Sequence, residues 1–277
     1  MARQLRRGTT SNVTRHEIQE LAREIARQAL QPTAGPDTGA DAEELPCPDW
    51  TPPAAGIAGL IDHTLLKPDA SERDVARLCD EARRYEVAAA CVHPDKVAVA
   101  ERELRGSGVA VCTVIGFPHG ANVTPVKLIE SEQALKLGAT ELDMVVNIGT
   151  LKQGRLDFVH NEIRSIAELA HEAGAQLKVI LEMALLDDEA KVNGCAIAKL
   201  AGADFVKTST GFGPSGAHPA DVALMHKVVG GEMGIKAAGG IRTYSRFRDM
   251  MRAGATRIGA GAGLAILEEF RTSPDAR

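Results

Sequence analysis

The sequence predicts an α/β fold, a (β/α)8 TIM barrel with an N-terminal helical extension. Short apolar runs alternate with helical patterns eight times between residues 57 and 270. The units average about 27 residues, enough for right-handed crossovers back into a parallel sheet, and a chain of 277 residues suits one such barrel. The rival, an open doubly wound sheet, usually shows a glycine-rich dinucleotide turn after an early strand. Here the first apolar run ends instead in Asp62-His63-Thr64.

Residues 1–56 read as an extension. Arg3, Arg6, Arg7 and Arg15 precede the first acid, Glu17, faintly like an organelle transit peptide, but no apolar core for secretion follows and a solvated extension is preferred. Residues 14–31 predict an amphipathic helix, with Thr14 and Glu17 at capping-box spacing and Ile18, Leu21, Ala22, Ile25 and Leu30 on one stripe. Residues 32–56, rich in Pro, Gly, Asp and Ala, read as a linker wrapping or trailing the barrel domain of residues 57–270. Residues 271–277 form a short tail.

Within the domain the candidate strands are 57–63, 87–92, 109–115, 141–146, 177–182, 204–207, 235–238 and 256–259. Ser71 caps a helix whose Val75, Leu78, Cys79 and Ala82 fall at i, i+3, i+4 and i+7. Thr124-Pro125 marks another helix start, and Val159, Ile163, Ile166, Ala167 and Ala170 trace an apolar face that ends at Gly174.

Composition narrows the function. No apolar run approaches the roughly 20 residues of a membrane span. A net charge of −5 with 3% aromatics gives neither the basic footprint nor the stacking platforms of a nucleic-acid binder. Cys47, Cys79, Cys91, Cys112 and Cys195 are odd in number and widely spaced, which suits reduced thiols in a cytoplasmic protein. His63, His93, His119 and His218 lack metal-ligand spacing, so no metal is expected. Cys91, at the end of the second run, reads as a small buried hydrophobe.

Reactive groups of such a barrel project from the C-terminal ends of its strands. Asp143, Lys178, Lys207 and Lys236 are charged residues embedded in the fourth to seventh apolar runs. A free lysine, with a pKa near 10.4, is a poor nucleophile at neutral pH, but a neighbouring cation and desolvation both penalise its protonated form. Lys207 and Lys236 on adjacent strands therefore suit an amine nucleophile and the cation that keeps it deprotonated, with Asp143 across the barrel mouth as proton relay. A structural ion-pair cluster is the alternative, but three lysines and an aspartate are a costly way to fill an interior. Gly239-Gly240 and Gly259-Ala-Gly261-Ala-Gly263 follow the seventh and eighth runs, the usual phosphate position in this fold. Gly211 and Arg242 are candidates to complete that cup, although tight turns also need glycine.

Together these segments resemble the deoxyribose-phosphate aldolase family of class I aldolases. The resemblance runs through Ile61-Asp-His-Thr-Leu-Leu-Lys67, Cys91-Val-His-Pro94, Val114-Ile-Gly-Phe-Pro-His-Gly-Ala-Asn122, Glu141-Leu-Asp-Met-Val-Val-Asn147, Phe205-Val-Lys-Thr-Ser-Thr-Gly-Phe-Gly213 and Ile235-Lys-Ala-Ala-Gly-Gly-Ile-Arg242. It implies Lys207 as the Schiff-base lysine, Asp143 as proton donor or acceptor, and Lys236 as the lysine that perturbs its neighbour. It also implies pocket or relay positions for Asp62, Thr64, Lys178 and Thr210. Gly211, Gly239, Gly240, Arg242, Gly259 and Gly261 match phosphate-proximal segments. The implied reaction is reversible cleavage of 2-deoxy-D-ribose 5-phosphate to D-glyceraldehyde 3-phosphate and acetaldehyde, with C3–C4 as the expected scissile bond. No metal or organic cofactor is required, and a homodimer or homotetramer is expected. Two departures matter: Gly261 and Ala262 stand where many members carry a Ser-Ser pair, and the tail lacks the tyrosine with which some members end. The first leaves open a related imine chemistry on a nonphosphorylated or other short substrate. A noncatalytic phosphosugar-binding barrel is the reading from another functional class.

Overall fold

The computed structural model describes residues 45–276 together with residues 16, 17, 20, 21, 24, 25 and 27. Eight parallel strands, β1 (Ile61–Leu65), β2 (Ala89–Val92), β3 (Ala110–Ile115), β4 (Glu141–Val145), β5 (Gln176–Ile180), β6 (Phe205–Lys207), β7 (Gly234–Ala238) and β8 (Arg257–Ala260), pair in chain order. β8 returns to β1 through Ile61↔Ile258, and the barrel is closed. Around it run α1 (Glu72–Tyr85), α2 (Val97–Leu104), α3 (Thr124–Lys136), α4 (Ile148–Lys152), α5 (Leu156–Glu172), α6 (Asp188–Leu200), α7 (Pro219–Val229), α8 (Tyr244–Arg252) and α9 (Gly263–Thr272).

Local chemistry explains the boundaries. Ser71 and Asp74 form a reciprocal capping box, and α1 buries the four apolar residues named from its spacing. Pro125 occupies the first turn of α3, where its missing N–H is not needed. α5 buries Val159, Ile163, Ile166, Ala167 and Ala170, and Gly174 follows with φ +72°. The first strand differs from expectation. Residues 58–60 form a 3-10 turn, and Ile57, 1% exposed, packs into the core below β1. The fifth ends early, at Ile180, because Glu182 adopts a left-handed conformation that leaves the strand path.

In the extension, the described residues between 16 and 27 are helical; Ile25 packs on the core while Leu21 is exposed. Thr14, Ile18, Ala22 and Leu30 lie outside the described residues, as do 32–44. Residues 45–56 wrap rather than trail. Cys47 N–H donates to Arg252 O at 2.9 Å, and the Trp50 ring meets Phe247 edge-on at 6.0 Å. All five cysteines are free. Among the described residues no helix is long and apolar enough to cross a membrane.

Candidate active site

Register brings the charged strand residues together. Asp143 on β4 pairs with Lys178 on β5, whereas Lys207 on β6 pairs with Ile180, two residues further along β5. Lys207 in turn faces Lys236 on β7, and Lys236 faces Arg257 on β8. Side chains two residues apart on a strand share a face at different depths, so Lys178 lies deeper in the barrel than Lys207.

Asp143 is the hub. Its Oδ2 accepts from Lys207 Nζ and Lys236 Nζ, each at 2.7 Å, and its Oδ1 accepts from Lys178 Nζ at 2.8 Å and Cys112 Sγ at 3.2 Å. The aspartate therefore sits between the two lysines rather than across the mouth from them. Lys178 Nζ also donates to Glu141 Oε2 at 2.6 Å. Asp62 pairs with Lys236 and, at 2.7 Å, with Arg257 Nη1, which reaches Glu141 at 3.4 Å. Burial works against the charges of Asp62, Asp143, Lys178, Lys236 and Arg257, but the partners outweigh it. Lys178, Lys207, Lys236 and Arg257 face Asp62, Glu141 and Asp143. Asp143, Lys178 and Lys236 are accordingly held charged, Asp143 well below and both lysines above their ordinary pKa values. Asp62 is held at about 2, burial being overcome by Lys236, Lys178 and Arg257.

A pocket of about 570 Å³ opens above this cluster. Lys207, Thr64, Thr210, Gly211, Gly239, Gly240, Arg242, Gly259 and Gly261 line it. Asp143, Lys236, Lys178 and Asp62 do not: they are buried beneath its floor. Lys178 and Asp62, expected at the pocket or in its relay, do not line the pocket but pair with Asp143 and Lys236 beneath it. Gly259 has a further reason to be glycine, since a Cβ there would come within 2.9 Å of Lys236 Cε. Gly239, at φ +92°, touches Gly216 Cα where a Cβ would approach to 2.9 Å, a left-handed and crowded position that excludes side chains. The segment at Gly261 and Ala262 runs into the N-terminus of α9, where free N–H groups and the helix dipole favour an anion. Lys67 also lines this pocket, and no acidic side chain does.

Sequence reasoning missed Lys67, Glu141, Arg257 and Cys112. Glu141 and Arg257 had the same signal as Asp143, a charge inside an apolar run. The trios Cys91, Cys112, Asp143 and Asp62, Cys112, Glu141 have donor atoms within 4.8 Å of one another. The Lys178 ammonium lies among their acids and Cys112, 2.6 Å from Glu141, 2.8 Å from Asp143 and 3.5 Å from Cys112 Sγ. The Lys178 ammonium thus already stands as a cation against the carboxylates of both trios.

The DeoC/LacD family aldolase model matches residues 57–270. The chain belongs to that family. A deoxyribose-phosphate aldolase of Thermococcus gammatolerans is 53% identical over 219 residues, covering 78% of this chain and 97% of the relative. The corresponding protein of Thermococcus kodakarensis is 54% identical over 214 residues, or 76% of this chain and 96% of the relative. Among solved structures, the tetrameric deoxyribose phosphate aldolase of Aeropyrum pernix superposes with a TM-score of 0.74 at 36% identity, covering 91% of this chain and 98% of that one. Aldolase chemistry and the closed barrel are thus family properties of this chain.

Proposed function

We propose that this aldolase cleaves 2-deoxy-D-ribose 5-phosphate reversibly to D-glyceraldehyde 3-phosphate and acetaldehyde through an imine on Lys207. The observation that carries the reading is Asp143 Oδ2 accepting from Lys207 and Lys236 at 2.7 Å each, directly below the pocket that Lys207 lines. The cluster holds four cationic side chains against three carboxylates, so one cation lacks a carboxylate of its own. Arg257 does not release a proton. Lys178 and Lys236 are held charged by several carboxylates, whereas Lys207 has a single carboxylate partner, shared with Lys236. Lys207 is also the one of the three lysines that reaches the pocket. It is therefore the amine placed to attack an aldehyde.

Lys207 Nζ adds to C1 of the open-chain sugar, and loss of water gives a protonated imine. The products fix the scissile bond. Acetaldehyde carries two carbons, so C2–C3 breaks rather than C3–C4, and the C3 hydroxyl becomes the aldehyde of the three-carbon product. The bond's electrons pass to the imine nitrogen as an enamine. Asp143, between the two amines, is placed to relay the proton that C2 then takes up. Hydrolysis of the imine releases acetaldehyde and frees Lys207. Arg242, Lys67, the backbone N–H groups of the glycine loops and the α9 N-terminus supply the positive end of the pocket for the 5-phosphate, despite the absence of hydroxyls at Gly261 and Ala262. A homodimer or homotetramer in the cytoplasm remains the expected setting, the Aeropyrum pernix protein being tetrameric.

Borohydride reduction in the presence of acetaldehyde should leave a mass adduct on the peptide containing Lys207. An active enzyme that gives no adduct rejects the covalent route, and an inert protein that binds the sugar phosphate would be the noncatalytic barrel. Comparing kcat/KM for deoxyribose with and without its 5-phosphate decides the substrate: the phosphate ester should be preferred by on the order of 100-fold or more.

A further inference from the structure

Behind Thr210 lies a second cavity of about 210 Å³, lined by Pro118, His119, Ile148, Glu182, Phe212 and Gly213 among others. Thr210 lines both this cavity and the substrate pocket, and so forms a wall between them. Glu182 stands on the far side. It is 2% exposed, and its backbone is left-handed, with φ +57°, a conformation that a non-glycine residue adopts at a cost and that clusters at functional sites. Its Oε2 accepts two hydrogen bonds from Thr210, one from the backbone N–H at 3.1 Å and one from Oγ1. Its Oε1 is buried and has no hydrogen-bond partner among the described residues. That oxygen faces Gly213, where a Cβ would come within 2.7 Å of it. Glycine there keeps room for the carboxylate.

The hydroxyl of Thr210 has one proton and two lone pairs. The proton is committed to Glu182, and one lone pair accepts from Phe212 N–H at 3.0 Å. The remaining lone pair is available to a donor from the pocket that Thr210 lines. Thr210 lies in sequence between Lys207, where C1 is bound, and Gly211, which begins the anion cup. The group that must give up a proton between those ends is the C3 hydroxyl.

We propose that Glu182 is a positioning residue that takes the C3-hydroxyl proton through Thr210; the inference rests on the imine reading above. In cleavage, the C3 hydroxyl proton passes to Thr210 Oγ1 as the Thr210 proton passes to Glu182 Oε2. The C3–O bond becomes a carbonyl, C2–C3 breaks, and its electron pair goes to the imine. Glu182 ends as the neutral acid and returns the proton by the same route in synthesis, or to solvent through the second cavity. The relay is separate from Asp143, which serves C2.

The test compares two activities of the full chain. Exchange of acetaldehyde methyl protons in D2O needs imine and enamine formation but no C3 hydroxyl, whereas cleavage of deoxyribose 5-phosphate needs both. Glu182→Gln keeps an oxygen that accepts from Thr210 but binds no transferable proton. We expect the ratio of cleavage kcat to exchange rate to fall on the order of 100-fold in this variant, with KM little changed. Thr210→Val should show the same split, and Thr210→Ser should restore the ratio. If Glu182→Gln cleaves as the parent does, its role is structural only and the proposal is overturned. If Glu182→Gln loses exchange and cleavage together, Thr210→Val decides: an unchanged ratio there also overturns it. A parent enzyme that shows neither exchange nor a borohydride adduct would sink the imine reading itself, an outcome distinct from a failed relay.

Discussion

Lys236 does not line the pocket, yet it shares an oxygen with the amine that does. Replacing it with leucine leaves Asp143 Oδ2 to Lys207 alone, so the ammonium form of Lys207 gains a private counterion and loses a repelling neighbour. Lys236→Leu should therefore lower kcat/KM at neutral pH by on the order of 100-fold, with partial recovery as pH rises and the proton is removed by the medium instead. A pH–rate profile parallel to that of the parent would remove Lys236 from this role. Lys207, Asp143 and Lys236 were legible in the sequence because a charge inside an apolar strand is anomalous wherever it occurs. Depth was not legible. Lys178 and Lys207 sit in equally apolar runs, and only the stagger between β5 and β6 puts one beneath the floor and the other in the pocket. Glu182 escaped because it was read as the end of a strand, and its turn out of β5 depends on a backbone conformation that the sequence does not signal.

At the scale of elements, α3 and α5 are fastened to the end of β4 by an ion pair as buried as the catalytic one. Lys127 Nζ donates to Glu162 Oε2 and to Val145 O, both at 2.9 Å, and Thr124 Oγ1 donates to Glu162 Oε1 at 3.0 Å. Both charged side chains are fully buried. Gly116 at the end of β3 leaves room for the lysine stem, since a Cβ there would come within 2.8 Å of Lys127 Cε. Removing one member strands a charge, so Lys127→Met should cost about 3–5 kcal/mol in urea unfolding, while Lys127→Met combined with Glu162→Leu should cost clearly less. Equal losses in the single and double variants would mean that packing, not charge, sets the cost. The strands and several helix faces followed from apolar periodicity, but this brace did not. Periodicity says that a helix has an inner face, not how side chains 35 residues apart on two helices meet, and a lone lysine or glutamate on a helix ordinarily reads as solvated.

Over the whole molecule, the barrel interior replaces apolar filling with a charged layer drawn from β1, β4, β5, β6, β7 and β8. Strand count and crossover length made the closed barrel legible, whereas the sharing of one layer by residues as distant as Asp62 and Arg257 required the closure itself, which pairs β1 with β8. Such a layer ties global stability to pH. Asp62 falls from an ordinary 3.8 to about 2 in the fold, burial being overcome by Lys236, Lys178 and Arg257. A depressed carboxyl stabilises the fold above its unfolded value and loses that contribution as pH falls through the folded one. Asp62 alone should thus contribute about 2 kcal/mol near neutrality that disappears between about pH 4 and pH 2. Lys178 and Lys236 are raised above an ordinary 10.5, so what they contribute is complete below that value and is lost only as pH climbs through their folded values. The layer therefore predicts broad stability between these limits and a steep acid edge. Urea unfolding followed from pH 5 to pH 2 should show that edge in the parent. Asp62→Asn, although less stable at neutrality, should show a shallower slope across the same interval, and an identical slope would mean that carboxylates elsewhere control acid unfolding.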